Sequence, residues 1–458
     1  MKRFFCCLFA IVAIFTFTSE GREKPNILFV LFDDMGYGEP TSYRPTSLFK
    51  TPNIDRMAKE GMRFTDAHSS AASCTPTRYG FLTGRYPHRI GQFGVLSTFS
   101  PPLIPDTRLT IASYLKRNGY TTACIGKWHL GMNWDRPKTK GKNKTKEKLK
   151  IGEKMTGGPN AIGFEYFYGF THARNFQSVI EQDTVVREVK PVENQPLMIA
   201  RAVDFLKEKS SNIEKPFFLY FPMCPPHKPV VPAPEYVGKG GGGGKGSYGD
   251  WVYQGDSMLG QLLDTLESTG LARKTLVLVS ADNGAAGRDY PPLRDNKGSI
   301  YEGGHREPFL AKWPGMIKPG STSDQIISIT DIFATCAEII GVPLPDNAGE
   351  DSVSFLDCML EKQVGPFREA SVQQSGKKAF AIRKGKWKLI VHGDNKRELF
   401  DLNLDLGETN NVIRTHSQVA AELASLLQSY LDRGRSTPGK AQPLKYKISL
   451  DEIRFKKK

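Results

Sequence analysis

The sequence predicts an α/β fold: a large, mostly parallel sheet sandwiched by helices, followed by a smaller C-terminal subdomain of antiparallel sheet plus helix. Three observations predict it. Runs at Asn26–Phe32, Thr121–Ile125, Phe217–Phe221 and Thr275–Val279 have the length and apolar character of strands buried on both faces. Segments of helical periodicity alternate with them. Beyond residue 366 the pattern changes to short strands divided by Lys-Gly and Gly-Asp-Asn turns. A chain of 458 residues exceeds a usual single core, so one large domain and one small one are expected. We place a leader at 1–21, the main domain at 22–365, the C-terminal subdomain at 366–435 and a basic tail at 436–458.

The leader reads as a secretory signal. Lys2-Arg3 is followed by an apolar run from Phe4 to Phe17 and polar Thr18-Ser19-Glu20-Gly21, too short for a comfortable span and placed for cleavage near Ser19 to Arg22. Export to a periplasm or outside the cell is expected. An uncleaved anchor is the alternative, because a clean small-x-small site is missing. No later segment is long and apolar enough to span a bilayer, so no stable membrane partner is expected.

The first strand ends at Asp33-Asp34, with Gly36 and Gly38 close behind. Ligands of parallel sheets collect beyond the carboxyl ends of strands, and paired carboxylates there suit a cation. The plain alternative is a solvated turn. Thr51 and Pro52 start a helix. A short strand at Arg63–Ala67 delivers the chain to Cys74-Thr75-Pro76-Thr77-Arg78, continued to Arg85. Pro76 suits the first turn of a helix, so Cys74 would sit at a helix N-terminus, where N–H groups and dipole favour an anion. Arg78, one turn on, can fork two donors onto oxygens. On its own, this run also reads as a buried cysteine beside a surface cation.

From Asp106, Leu109, Ala112 and Leu115 mark a helix that stops at Gly119. The strand from Thr121 ends at Lys127 and His129, which alternation puts on one side of the extended chain. Residues 138–159 read as an inserted loop. A helix at Gln195–Lys209, with Ile199, Ala202, Val203 and Leu206 on one face, leads to the strand that ends at Cys224-Pro-Pro-His227. The Gly238–Gly249 tract reads as a flexible surface loop. After a helix at Asp250–Ser268, the next strand ends at Asp282-Asn283-Gly284. With Asp33 and Asp34, this pair offers only hard oxygen ligands, which favours Ca²⁺ or Mg²⁺ over Zn²⁺. Asn296–Gly304 contains Lys297. Phe309–Trp313 and a helix from Asp331 to Gly341 continue the alternation. The tail gives strands at Ala379–Arg383, Trp387–Val391 and Glu398–Phe400, then an amphipathic helix at Ser417–Leu431.

The formal net charge is +15, and most of it lies in Lys138–Lys150 and Lys440–Lys458. Solvated loop and tail explain both; capture of a polyanion is the functional alternative. No nucleic-acid motif is present, and no nucleic-acid partner is expected. Of seven cysteines, Cys6 and Cys7 leave with the signal and none of the rest forms a Cys-x-x-Cys. If Cys74 is modified, Cys124, Cys224, Cys336 and Cys358 remain, which permits disulfides without requiring them.

The run Cys74–Arg85 resembles the maturation and active-site signature of the type I sulfatases, the formylglycine-dependent arylsulfatase family with an alkaline phosphatase-like fold. Gly119–His129 resembles the second signature of that family, and Lys297-Gly-x-x-x-Glu-Gly-Gly a third run. The likeness extends from Pro25 to about Leu431. It implies that Cys74 is oxidised by a formylglycine-generating enzyme to an aldehyde whose hydrate is the nucleophile. A second hydroxyl on that carbon gives sulfate an exit that serine or thiol lacks. The resemblance also implies calcium held by Asp33, Asp34, Cys74, Asp282 and Asn283. Arg78 would hold the hydrate, Lys127 neutralise a sulfate oxygen, His227 with Lys297 protonate the departing alcohol, and His129 take the proton as sulfate leaves. His305 and Glu307 depart from the family pattern at positions tied here to substrate selection. The expected activity is hydrolysis of an aryl or carbohydrate sulfate ester. The alternatives are phosphonate or phosphate ester hydrolysis, and an inactive glycan-binding homologue.

Overall fold

The computed structural model describes residues 24–135, 148–362, 365–451 and 455–457. The leader expected at 1–21 and residues 138–147 of the expected insert lie outside the described residues. At the centre is a ten-stranded sheet. Its middle strands, in spatial order, are Thr275–Ala281, Asn26–Asp33, Phe217–Pro226, Thr121–Lys127 and Tyr166–Phe170. All four pairings among them are parallel. Antiparallel strands flank this block on both sides.

Two-residue alternation builds the sandwich. Ile27, Phe29 and Leu31 face one core with the helices Cys74–Thr83, Ile111–Arg117 and Ile332–Ile340. Leu28, Val30 and Phe32 face the other, covered by Pro52–Glu60, Pro191–Ser210 and Tyr248–Ser268. A strand apolar at every position must be covered twice, and it is.

Several elements differ from the sequence reading, among them Tyr446–Ile448, a strand in the expected basic tail, and two that shape the sheets. Phe309–Lys312 runs antiparallel to Thr275–Ala281: no helix carries the chain back to the far end of the sheet, so the strand returns along its neighbour. A fourth C-terminal strand, Ser371–Gln374, escaped detection because it is polar; its glutamines are buried all the same. It pairs in an antiparallel sheet with Phe380–Lys384, Trp387–Val391 and Arg397–Asp401. One face of this sheet packs on the helix Ser417–Arg433, the other on Ile300 and Tyr301 of the main domain.

The junction corrects the expectation for His305 and Glu307, both fully buried. His305 Nε2 lies 3.2 Å from Lys388 Nζ, and its Nδ1 lies 3.1 Å from His68 Nδ1. Lys388, from the C-terminal sheet, also reaches Glu302 at 2.9 Å and Glu408 at 2.7 Å. Glu307 accepts from Ser69 Oγ at 3.2 Å. Their polarity serves this junction and the interior, where an unpaired charge would be costly, and neither residue is exposed to a substrate. The five described cysteines are free and buried.

Two loops near the sheet's carboxyl edge are tied down by single carboxylates. Asp250 accepts backbone N–H bonds from Gly238, Gly240 and Gly246, each at 2.8 Å. The glycine tract is therefore wrapped on a carboxylate, and a Cβ on Gly240 would meet Gly249 O at 1.8 Å. Glu39, on the turn after Asp33-Asp34, accepts from Tyr248 Oη at 2.6 Å and Tyr290 Oη at 2.8 Å. Burial, opposed by those two phenols, pushes its carboxyl up to about 7.

Both ties are testable. Asp250→Ala leaves three N–H groups without their acceptor, so thermal stability falls by about 2–3 kcal/mol and the tract opens to protease; an unchanged melt and cleavage pattern would show that the carboxylate does not hold it. Because the Glu39 pKa is raised on folding, its contribution is complete below the unfolded value and is lost as pH rises through about 7. Glu39→Gln should flatten the decline of melting temperature over that window; curves that stay parallel would exclude Glu39 as the titrating group.

Candidate active site

The parallel register gathers the predicted residues. Phe32 pairs with Ala281 and Asp33 with Pro226, so Asp33-Asp34, Asp282-Asn283 and His227 emerge side by side from adjacent strand ends. Lys127 ends the next strand, level with Phe170. Asp34 and His129 both adopt positive φ, at 66° and 57°, a conformation costly for side-chain-bearing residues and concentrated at functional sites. Cys74 opens the helix Cys74–Thr83 immediately after its cap residue Ser73, and Gly84 closes it in the left-handed conformation. The helix N-terminus thus points at the strand ends.

Each strand-end carboxylate meets a cation, Arg78 and Lys127 fully buried and Lys297 partly so. Arg78 donates through Nε and Nη2 to Asp282 Oδ2 at 3.1 and 2.7 Å, and through Nη1 to Lys127 O at 3.1 Å. Lys127 Nζ donates to Asp33 Oδ2. Lys297 Nζ donates to Asp34 Oδ1 and lies 3.5 Å from Cys74 Sγ. Cys74 Sγ is 3.5 Å from Asp33 Oδ1. His227 Nε2 stands 3.7 Å from Asp34 Oδ2, while its Nδ1 meets Lys228 O.

Burial shapes the protonation of the whole group. It raises the Asp33 carboxyl, but Lys127, then His227, Arg78 and Lys297, overcome it and hold Asp33 well below the usual range. Asp282 is pushed up to about 6 by burial and by Asp33. Burial, reinforced by Asp282, lifts the Cys74 thiol to about 12, so the unmodified side chain stays a neutral thiol at ordinary pH. Burial lowers His129 well below its ordinary value, helped by Lys127 and His172, and lowers His227 as well. Burial thus disfavours the charged form of either imidazole.

The donor set fits a hard cation. Ligand atoms of Asp33, Asp34, Cys74 and His227 lie within 4.8 Å of one another. Asn283 Nδ2 donates to Asp34 Oδ1 at 2.8 Å, and its Oδ1 is buried without any hydrogen-bond partner. An orphaned amide oxygen beside carboxylates is what an oxygen-seeking cation would satisfy. Asp282 gives Oδ1 to the Asp34 N–H at 3.1 Å and Oδ2 to Arg78. Among the described residues a second group of possible ligands is His68, Glu302 and His305; there Glu302 and His305 meet the Lys388 ammonium, and His68 meets His305 and Asp66.

Sequence reasoning missed the walls. Tyr220, buried in the Phe217–Pro226 strand, places its hydroxyl 3.5 Å from Arg78 Nη1. Thr75 Oγ1 donates to His129 O at 2.9 Å. His129 Nε2 lies 3.0 Å from Leu96 O, its Nδ1 has no partner, and its ring lies 5.3 Å from that of His172. His172 accepts from Arg174 N at 3.1 Å, and its Nε2 lies 2.8 Å from Thr98 Oγ1. Burial, then Lys127, lowers His172 to about 4. The available signal was register: His172 follows a strand that ends level with Lys127.

Comparison with known proteins agrees with this geometry. The family described as Sulfatase matches residues 25–342, and the family described as N-sulphoglucosamine sulphohydrolase, C-terminal, matches residues 295–436. An N-acetylgalactosamine-6-O-sulfatase of Bacteroides thetaiotaomicron is 30% identical, over 90% of this chain and 94% of its own. Arylsulfatase A of Bos taurus is 33% identical, over 87% of this chain and 85% of its own. A structure solved in work on glycosaminoglycan metabolism by Bacteroides thetaiotaomicron superposes with a TM-score of 0.78 at 28% identity, covering 89% of this chain and 99% of that one. The chain belongs to the sulfatase family and is a sulfuric ester hydrolase.

Proposed function

We propose that the chain is a calcium-dependent sulfatase that removes sulfate from a carbohydrate ester through formylglycine made from Cys74, and that a 6-sulfated amino sugar is its substrate. The observation that carries the mechanism is the convergence of Cys74, at a helix N-terminus, with oxygen ligands and two lysines. The substrate class rests on the Bacteroides thetaiotaomicron relative named N-acetylgalactosamine-6-O-sulfatase. A 25% identical structure solved in complex with a neocarrahexaose, TM-score 0.76, favours a glycan over a small aryl ester.

Asp33, Asp34, Asp282 and Asn283 would hold calcium, with the modified residue 74 completing the set; bound there, the ion polarises the sulfate and stabilises developing charge. Formylglycine would supply a hydrate with one hydroxyl to attack sulfur and another to let sulfate go. The chain's own side chains do the rest. Arg78, fixed by Asp282 and the Lys127 carbonyl, orients residue 74. Lys127 and Lys297 neutralise sulfate oxygens. His227, with Lys297, delivers a proton to the departing sugar oxygen. His129, whose Nδ1 has no partner, accepts the proton that frees sulfate.

Export by the N-terminal signal, to a periplasm or beyond, fits a polymeric sulfated substrate. The formylglycine-generating enzyme is the required partner in maturation. The test is sulfate release from 6-sulfated N-acetylgalactosamine by protein co-produced with that enzyme. Its intact mass should show residue 74 without H₂S and with one added oxygen. Cys74→Ala should be inactive, and Lys127→Ala slower by about a hundred- to a thousandfold. A calcium chelator should abolish turnover and added Ca²⁺ restore it. Full activity of Cys74→Ala, or faster cleavage of a matched phosphate ester, would overturn the assignment.

A further inference from the structure

Beside the site lies a cavity of about 370 Å³, walled by residues 295–301 on one side and by the Ser375–Ala379 turn and His392 of the C-terminal sheet on the other. Lys297 belongs to both places: it lines the cavity, and its Nζ meets Asp34 and Cys74. The opposite wall is held firmly. Ala72, two residues before Cys74, donates to Gln374 O at 3.0 Å and its own carbonyl accepts from Gly298 N at 2.9 Å. Gln374 Nε2 donates to Gln92 O at 2.7 Å. Inside the turn, Ser375 N and Lys378 N donate to Ala379 O and Ser375 O, each at 3.0 Å.

The cavity's polar groups are mostly committed. Asp295 accepts from Ser299 Oγ at 2.9 Å. His392 Nε2 lies 2.9 Å from Glu398, which also accepts from Tyr301 Oη at 2.6 Å, so the imidazole is a fixed wall. Lys297 is engaged by Asp34. Lys377 is exposed, lines the cavity, and pairs with no other described residue. A volume near the lower end of the range for ligand pockets, about 300–1,000 Å³, suits a single pyranose ring.

We propose that this cavity is a subsite for the sugar next to the sulfated one, and that Lys377 recognises an anionic substituent on it, a carboxylate or a second sulfate. The preferred substrate is thus an acidic glycan bearing charge on two adjacent residues. This rests on the sulfatase reading of the site and deepens it. Lys377 is a specificity residue: it touches neither the reacting sulfate nor residue 74.

The test compares a 6-sulfated N-acetylgalactosamine with two disaccharides that carry it, one next to a uronic acid and one next to a neutral hexose. Wild type should prefer the acidic disaccharide in kcat/KM, and the preference should shrink at high salt. Lys377→Ala should remove about three- to fivefold of the acidic rate, and Lys377→Glu more, while rates on the monosaccharide and the neutral disaccharide stay unchanged. Calorimetric titration with the desulfated acidic disaccharide should give binding that Lys377→Ala weakens. No acidic preference in wild type, or equal losses on all substrates, would sink the subsite and leave the sulfatase reading intact. A wild type inactive on every ester, nitrophenyl sulfate included, would instead sink that reading, and the titration would still decide the subsite.

Discussion

The site depends on burying charge at the carboxyl edge of a parallel sheet, where water is largely excluded. A lone carboxylate there would protonate or disrupt the fold. The structure pairs each one: Asp33 with Lys127, Asp34 with Lys297, Asp282 with Arg78. Three anions against three cations leave the cluster close to neutral. That balance determines what the cluster can take up. A divalent cation held by the carboxylates would leave the pocket with surplus positive charge, and the lysines so released would face an incoming sulfate. A protein-only cluster of the same size with excess carboxylate would hold a cation tightly and repel the ester.

The pairing also explains why the strands must be parallel and in register. Each charged group sits on a different segment, and only a shared strand-end plane puts Asp33, Lys127, His227 and Asp282 within reach of one another. Arg78 and Cys74 come from a helix whose first residue faces that plane. A slip of one residue in the Asn26–Asp33 strand would exchange its two core faces and turn Asp33 away from Lys127. The apolar alternation that fills the two cores is therefore also what fixes the charges.

Much of this was legible because strand-end residues adjoin strong apolar runs in sequence. Asp33-Asp34, Lys127, His129, His227 and Asp282-Asn283 each follow a segment whose burial is evident from composition. Residues whose roles depend on three-dimensional neighbours were not legible. Tyr220 looks like one more core aromatic until its hydroxyl is seen against Arg78. His172 has no local pattern to mark it, and its place follows from the pairing of Lys127 with Phe170. Ser371–Gln374 lacks strand hydrophobicity, yet its glutamines are buried, with their amide nitrogens donating to Ser371 Oγ and Gln92 O. The Gly238–Gly249 tract looks slack in sequence, yet its glycines permit the close backbone approach that one carboxylate demands. The expected leader at 1–21 and residues 138–147 of the insert lie outside the described residues.

The segment from Asp295 to Arg306 links the two parts of the chain. At one end Lys297 faces Cys74; at the other Glu302 and His305 surround Lys388 of the C-terminal sheet. Between them, Ile300 and Tyr301 pack on Ala381, Ile390 and Phe400 of that sheet. Lys388 is a buried cation whose partners come mostly from the main domain, so separating the sheet would strand both the ammonium and Glu302. Docking of the C-terminal sheet accordingly braces the far end of the segment that carries Lys297. The small subdomain is thus joined to the catalytic centre through one segment: Lys297 N–H donates to Ala285 O and Gly298 N–H to Ala72 O at one end, and the C-terminal sheet covers the other.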